Sequence, residues 1–595
     1  MLSRRSLKMS KKVFRMIPVV AVVLTMVVAL LPTGFAAAAD SEITITAQYR
    51  QDEPVTRDTA DSSEISSLDP VLASDTVSIT PIENLFLGLT NYDPITSAVT
   101  PELATTWEAS ADGLTWTFSL RTDVNWMKWD PASDTATVVR PVVAGDFVYG
   151  MKRACDPRLG SYYGSIAATV IAGCDVVNQT ASESVTDDLV FGDTTKVSAP
   201  DDTTVVVELQ FAAGFFLSMT PMWMIRPVPQ EAIEEFGDEW TAPGNIVTNG
   251  PFFVDEITRG VRRVFMRNEA LPADLFSGTG NIEVINQTII EDGGTTYALF
   301  LDNQLDATGV PTAEIQNVLN DPVLSQQVLQ IFDLAVFYFG YAHDKAPFDN
   351  INARRAFSAI IDRAAFVEQI RGGRGVPMIH FTPPGMAGAP PINEVGVGFN
   401  PEYAVAELEA AGYPNCEGFP NIDLVAYTGA GTWVEFWAAA AEEYLGCDPA
   451  LFNTEQLEFS VLLEVVDSKT PTQDRPNAWT LGWGPDYGDA NNWVHDVLSC
   501  NVDYNFMRPC TEVDDLIDQA ARESDPAVRE QLYAEVEEAF FGEEGEFPIA
   551  PIFLRSAFSL FKPWYTGPFE TDGLFGGAHW GAYSIDMAAK LAARG

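Results

Sequence analysis

Polar and apolar positions alternate with a period of two along Leu114–Arg121. Leu114, Trp116, Phe118 and Leu120 interleave there with Thr115, Thr117, Ser119 and Arg121. A period of two puts successive side chains on opposite faces and predicts a half-buried strand, entered through the turn dipeptide Asp112-Gly113. Ile43-Thr44-Ile45-Thr46 predicts a first strand in the same way, and Thr204–Leu209 and Phe252–Ile257 predict later ones. Leu334–Ala342, LAVFYFGYA, is apolar without a polar face and predicts a fully buried strand; Phe547–Leu560 reads similarly. Three-to-four spacing predicts helices instead. Ala353, Ala356, Phe357, Ile360, Ile361, Ala364, Val367 and Ile370 fit one helix over Asn352–Ile370, stopped by Gly372-Gly373. Further helices are expected at Ile82–Gly88, at Ala144–Arg153 with Asp146 near its start and Lys152 and Arg153 at its end, and at Val513–Glu523. Asn400 and Asp525 are N-cap candidates, each followed by a proline at the first helical position, for helices over Pro401–Ala411 and Pro526–Phe541. Strands and helices mixed throughout indicate an α/β protein.

The first 39 residues follow a different pattern. Arg4, Arg5, Lys8, Lys11, Lys12 and Arg15 precede the apolar run Ile17–Leu31, and Ala36–Ala39 offers a small-residue cleavage site before Asp40. This is the layout of a signal peptide, and the run is short for a spanning helix. No cysteine lies near the cleavage site, so no lipoprotein anchor is expected there, and no later apolar stretch is long enough to span a membrane. The chain of 595 residues exceeds one core, so more than one domain is expected. Its net charge is −48; losing six basic residues with the leader makes it −54. That argues against nucleic acid as a partner.

An exported chain meets an oxidising compartment, where its six cysteines are expected to pair. Short loops favour Cys155 with Cys174, Cys416 with Cys447, and Cys500 with Cys510, although other pairings are formally open. Four scattered histidines and no C-x-x-C argue against a structural metal, and no cofactor is expected.

Read together, Pro101–Trp126 (PELATTWEASADGLTWTFSLRTDVNW) and Arg140–Pro157 (RPVVAGDFVYGMKRACDP) resemble the signature segment of the extracytoplasmic solute-binding proteins of peptide-type ABC importers, family 5. Further landmarks are similar and come in order: Ser67-Leu68-Asp69-Pro70, Asn84–Leu89 (NLFLGL), Asn249–Phe253 (NGPFF) with Met266-Arg267-Asn268, Pro347–Arg363 (PFDNINARRAFSAIIDR), Phe399–Tyr413, and Gly482–Asn492 (GWGPDYGDANN). The resemblance implies a periplasmic-binding-protein-like fold of two α/β lobes joined by a hinge, with an extra subdomain in the first. Lobe I is then expected over 40–337, with the subdomain near 140–245 and a C-terminal return over 556–595; lobe II is expected over 338–555. It also implies a binding role, as a monomer at the periplasm or outer cell face, capturing oligopeptides and delivering them to a membrane permease and its ATPase subunits.

The same resemblance nominates site residues. Asp486 would meet the ligand's free ammonium, for which a charge-assisted hydrogen bond contributes roughly 1.5–3 kcal/mol. Trp483 and Tyr487 would wall the site, Gly482 would admit ligand backbone, and Ser74, Asp75, Thr76 and Tyr163 would contribute from lobe I. Each has an ordinary alternative: a turn carboxylate, core aromatics, solvated loop residues. Two departures bear on the ligand. Asp489 is followed by Ala490 where the family often has proline, and Thr480 stands where some relatives place an arginine for a tripeptide carboxylate. Longer peptides, oligosaccharides or another small solute therefore stay open. Neither H-E-x-x-H nor G-x-S-x-G occurs, and no phosphate-binding G-x-x-x-x-G-K-[ST]. The remaining enzymatic alternative is a secreted glycoside hydrolase, since a chain with 83 acidic residues contains carboxylate pairs somewhere.

Overall fold

A computed structural model describes the backbone of Thr44–Thr46 and residues 54–276, 278–502, 506–569, 574 and 579–595. The expected signal segment lies outside the described residues. Among them, no helix is long and apolar enough to cross a membrane.

Apolar side chains collect into two large cores. One gathers residues from Leu68 to Ile285 together with Trp564, Tyr565, Trp580, Tyr583 and Ile585. The other runs from Val336 to Leu554. Three four-stranded sheets belong to the N-terminal half, and the largest sheet carries seven strands in the C-terminal half. Its central strands, Val328–Tyr341 and Ile549–Phe561, pair antiparallel from Val328↔Leu560 to Gly340↔Ile549. They link the two halves: Leu560 packs with Phe300 and Val318, whereas Val336 and Ile552 lie in the second large core. The apolar run at 334–342 is thus the buried half of a longer strand whose first half, Val328–Asp333, is part-buried or exposed except at Ile331.

The strand expected after Asp112-Gly113 is Thr115–Leu120, antiparallel to Ala104–Ala109. Gly113 holds φ at +70°, a conformation glycine adopts without strain. Asp146 closes the start of helix Ala144–Ala154 by accepting from Val143 N and Trp126 Nε1, both at 2.9 Å. Asn400 and Asp525 cap their helices by accepting from Tyr403 N and from Ala527 N and Val528 N. The three disulfides are Cys155–Cys174, Cys416–Cys447 and Cys500–Cys510.

Two helix expectations need correction. The helix near residue 82 is Thr76–Leu85, and Phe86 is already extended. Asp75 sets the earlier start by accepting from Ser78 N at 2.8 Å. The single helix over Asn352–Ile370 is broken. Ile351–Ala359 ends, Asp362 caps a new turn by accepting from Ala365 N, and Phe366–Ile370 is a π-helical turn. The break lets Arg363 donate to Pro551 O at 2.7 Å, tying the helix to the central strand. Apolar spacing alone does not register that bond.

Candidate functional site

The loop after strand Ala478–Trp483 ends in a short helix, Asn491–Val494. Strand and loop lie where the halves meet, and each half inserts side chains into the other. Tyr92 packs in the core of the second half, whereas Tyr487 and Ala521 pack in the core of the first. Gly488 N–H donates to the Tyr92 hydroxyl at 2.8 Å, and that hydroxyl donates to Ser218 O. Phe215 stacks on Tyr487 with ring centroids 5.6 Å apart. Gly214 N–H donates to Ala521 O at 2.9 Å.

Asp486 is buried at this seam, 8% exposed. The Tyr163 hydroxyl donates to its Oδ1 at 2.9 Å, and Asn492 Nδ2 donates to Oδ2 at 3.2 Å. Its own N–H donates to Asn492 Oδ1 at 2.8 Å. Among the described residues no cation lies within ion-pairing distance. Burial pushes the carboxyl up to about 6, against the two hydrogen bonds that favour its ionised form; Asp496 nearby adds to the rise. The group is a desolvated acceptor surrounded only by neutral donors, and such a site favours an incoming cation.

The other expected residues differ in what they meet. Tyr163 and Trp483 join Asp486 directly or through Asn492, to which Trp483 Nε1 donates at 3.2 Å. Trp483 is half-buried, whereas Trp479 and Trp493 are fully buried in the core of the second half. Tyr487 is 1% exposed; its ring faces Phe215 and its hydroxyl donates to Asp496 Oδ2 at 2.7 Å. Gly482 has another reason to be glycine. A Cβ there would stand 2.8 Å from the Phe337 ring on the paired strand, so no side chain fits in that direction. The Asp75 carboxylate is taken up by helix capping, and Ser74 and Thr76 are exposed beside it. This segment reaches Tyr163 through Trp223, whose Nε1 donates to Ala73 O at 3.0 Å and whose ring meets Tyr163 edge-on at 4.8 Å.

Several residues at the seam escaped the sequence reading. Asp489 is fully buried and takes both Arg529 nitrogens at 2.5 Å; Arg529 also donates to the Tyr533 hydroxyl at 2.9 Å. Asp489 stood in the quoted motif, but nothing pointed to Arg529, 40 positions away. Across the sheet, Gly482 pairs with Phe337 and Phe337 with Phe553. Arg371 lies over Phe553 and Trp433, at 4.7 and 5.4 Å from the centroids, with no carboxylate in ion-pairing distance among the described residues. Burial holds its guanidinium at about 10, below the usual arginine range. Thr480, at the position of the absent arginine, is fully buried and offers no anchor.

Known proteins place this arrangement. Residues 98–505 match bacterial extracellular solute-binding proteins, family 5, in its middle region. The periplasmic oligopeptide-binding protein OppA of Salmonella typhimurium is 27% identical over 523 residues, covering 86% of this chain and 90% of its own. The dipeptide-binding protein DppE of Bacillus subtilis is 27% identical over 512 residues, covering 84% and 86%. Among solved structures, the periplasmic murein tripeptide binding protein MppA in its unliganded open form aligns with a TM-score of 0.72 and 25% identity, over 91% of this chain and 98% of that one. Two α/β halves linked by paired strands, the ordered landmarks and this match agree: the chain belongs to the bacterial extracellular solute-binding proteins of family 5.

Proposed function

We propose that this chain is the extracytoplasmic ligand-binding component of an ABC importer and captures oligopeptides between two lobes, with boundaries near 337/338 and 555/556 and an extra subdomain near 140–245. The carrying observation is Asp486, a buried carboxylate held by neutral donors from both halves, with no cation in ion-pairing distance among the described residues. A peptide's α-ammonium supplies the missing charge, and a carboxylate has lone pairs for it beside the Tyr163 and Asn492 hydrogen bonds. Arg371 suits the anionic end. Its guanidinium has no carboxylate in ion-pairing distance among the described residues, so a ligand carboxylate would supply the missing counter-charge. Relatives named for binding oligopeptides and dipeptides support this ligand class. Ligand touching both lobes would shift the population towards the closed form by its differential affinity for it. The closed lobes would then dock on a membrane permease served by ATPase subunits, the mature protein acting outside the cytoplasm as a monomer.

Native mass spectrometry of the purified mature protein, with denaturing release of co-purified material, tests the ligand class. A ladder of peptide masses is expected; a sugar, a chelate or no added mass overturns the peptide reading. In calorimetry, Asp486→Ala is expected to weaken peptide binding at least about tenfold, and unchanged affinity removes Asp486 from the site.

A further inference from the structure

We propose that Asn492 is the positioning residue of this site: its carboxamide locks the Asp486 carboxylate and the Trp483 indole into one arrangement and couples both to a second carboxylate, Asp496. The inference rests on the reading of Asp486 as the ligand's ammonium acceptor.

An amide side chain has two N–H donors and two acceptor lone pairs. Asn492, fully buried, uses all four. Nδ2 donates to Asp486 Oδ2 at 3.2 Å and to Asp496 Oδ2 at 3.0 Å. Oδ1 accepts from Asp486 N at 2.8 Å and from Trp483 Nε1 at 3.2 Å. Turned over, the amide would set its oxygen against two carboxylates and its nitrogen against two N–H donors, so the network permits one orientation. Asp496 is itself fixed, accepting from the Tyr487 hydroxyl at 2.7 Å and pairing with His495 Nδ1 at 2.7 Å. The chain Trp483–Asn492–Asp486, backed by Asp496 and His495, is therefore a continuous polar network in which no atom of Asn492 lacks a partner. Satisfied buried networks are rigid, and a rigid acceptor loses less on binding than one that must be ordered.

Asn492 also bears on charge. Asp486 faces Tyr163 from the first half and Asn492 and Asp496 from its own loop. His495 behind Asp496 is further faced by Asp514 and Asp518, which with Asp496 hold it protonated to higher pH than an ordinary histidine despite burial. The Asn492 donor favours ionised Asp486, so removing it raises the pH at which Asp486 titrates. A residue that only filled space would leave that midpoint where it is.

The test is a carboxyl-carbon NMR titration of Asp486 in the empty protein, wild type against Asn492→Leu, paired with calorimetry using pentaalanine and its N-acetylated form. The Asp486 midpoint is expected to rise by about one pH unit in Asn492→Leu, and an unchanged midpoint overturns the proposal. Pentaalanine affinity at pH 7 is expected to fall about tenfold in the variant, and equal affinity overturns the positioning role. Wild type binding neither probe, or both equally, overturns the ammonium reading, while the titration still decides Asn492. Asn492→Ser, which keeps a donor of smaller reach, is expected to give an intermediate shift. If Asn492→Leu does not fold, Asn492→Ala, which also removes the donor, decides the question: a midpoint equal to wild type overturns the proposal.

Discussion

Asp486 and Asp489 stand three positions apart in one loop, both buried, and their surroundings differ in kind. Asp489 has a full counter-charge: Arg529 meets both of its oxygens at 2.5 Å, and Arg529 is in turn held by Tyr533 and Ala520 O. Among the described residues Asp486 has only a phenol and an amide as side-chain partners. Burial raises both carboxyls, but at Asp489 the guanidinium opposes the rise, and at Asp486 only neutral hydrogen bonds do. A fold that needed Asp486 only for cohesion would gain by giving it a cation, as it does three residues later. Leaving it uncompensated costs stability. That contrast separates the charge-compensated carboxylate from the one proposed to meet a ligand more sharply than burial, which is alike in both.

The largest effect should come from breaking the compensated pair. Arg529→Met leaves Asp489 as an unpaired buried charge, for which the expected loss is about 3–5 kcal/mol of stability, read as a large drop in melting temperature. Asp486→Ala should behave oppositely: little loss of stability, or a gain, together with the loss of peptide affinity stated above. If Asp486→Ala melts as low as Arg529→Met, Asp486 is a structural group and the comparison fails. If Arg529→Met melts like wild type, the Asp489 pair is not the lock its geometry describes.

Much of the architecture was legible because the landmark residues bond to one another. Asp69 of Leu68-Asp69-Pro70 takes both nitrogens of Arg153, from the GMKR segment, at 2.7 and 2.6 Å, and Trp240 Nε1 at 3.0 Å. Leu87 N–H donates to Asn249 Oδ1 at 2.9 Å, joining NLFLGL to NGPFF, and Asn268 Nδ2 donates to Gly250 O at 3.0 Å. Arg354 donates to Phe348 O at 2.8 Å and to Glu546 O at 2.9 Å. Directional bonds of this kind need particular residue types, so they leave readable strings in the sequence. Within the site, the string pointed to Asp486, and the same string contained Asn492 without disclosing its four-way bonding. Arg529, Tyr92, Phe215 and Arg371 were not legible, because their roles arise only when distant segments meet. A structural reason for Gly482 was not legible for the same cause: Phe337, on a strand 145 positions earlier, stands where a side chain would go.

An intermediate case sharpens the contrast further and carries the smallest expected effect. In the first core Glu83 and Glu102 share one cation, Arg226. Arg226 bonds Glu83 directly. Glu102 Oε2 stands 3.7 Å from Arg226 and also accepts from Gly88 N–H, while Asn91 Nδ2 donates to Oε1 at 3.0 Å. Burial pushes both glutamates up to about 7 from an ordinary value of 4.5. The folded state therefore binds protons more tightly than the unfolded chain between those values. The stability these groups contribute is complete below about pH 4.5 and is lost as pH rises through about 7. Glu83→Gln removes one of the two charges while keeping the shape. Its melting temperature relative to wild type should therefore rise between pH 5 and pH 8, as the wild-type pair ionises. His579, bonded to Asn91 at 3.0 Å and held by burial down to about 3, acts in the opposite sense as pH falls below its ordinary value of 6.5. It is present in both proteins, so to first order it cancels from the difference. A difference in melting temperature that stays flat from pH 5 to pH 8 would mean that Arg226 compensates both glutamates as fully as Arg529 compensates Asp489. Asp486 would then stand alone in lacking a counter-charge among the buried carboxylates compared.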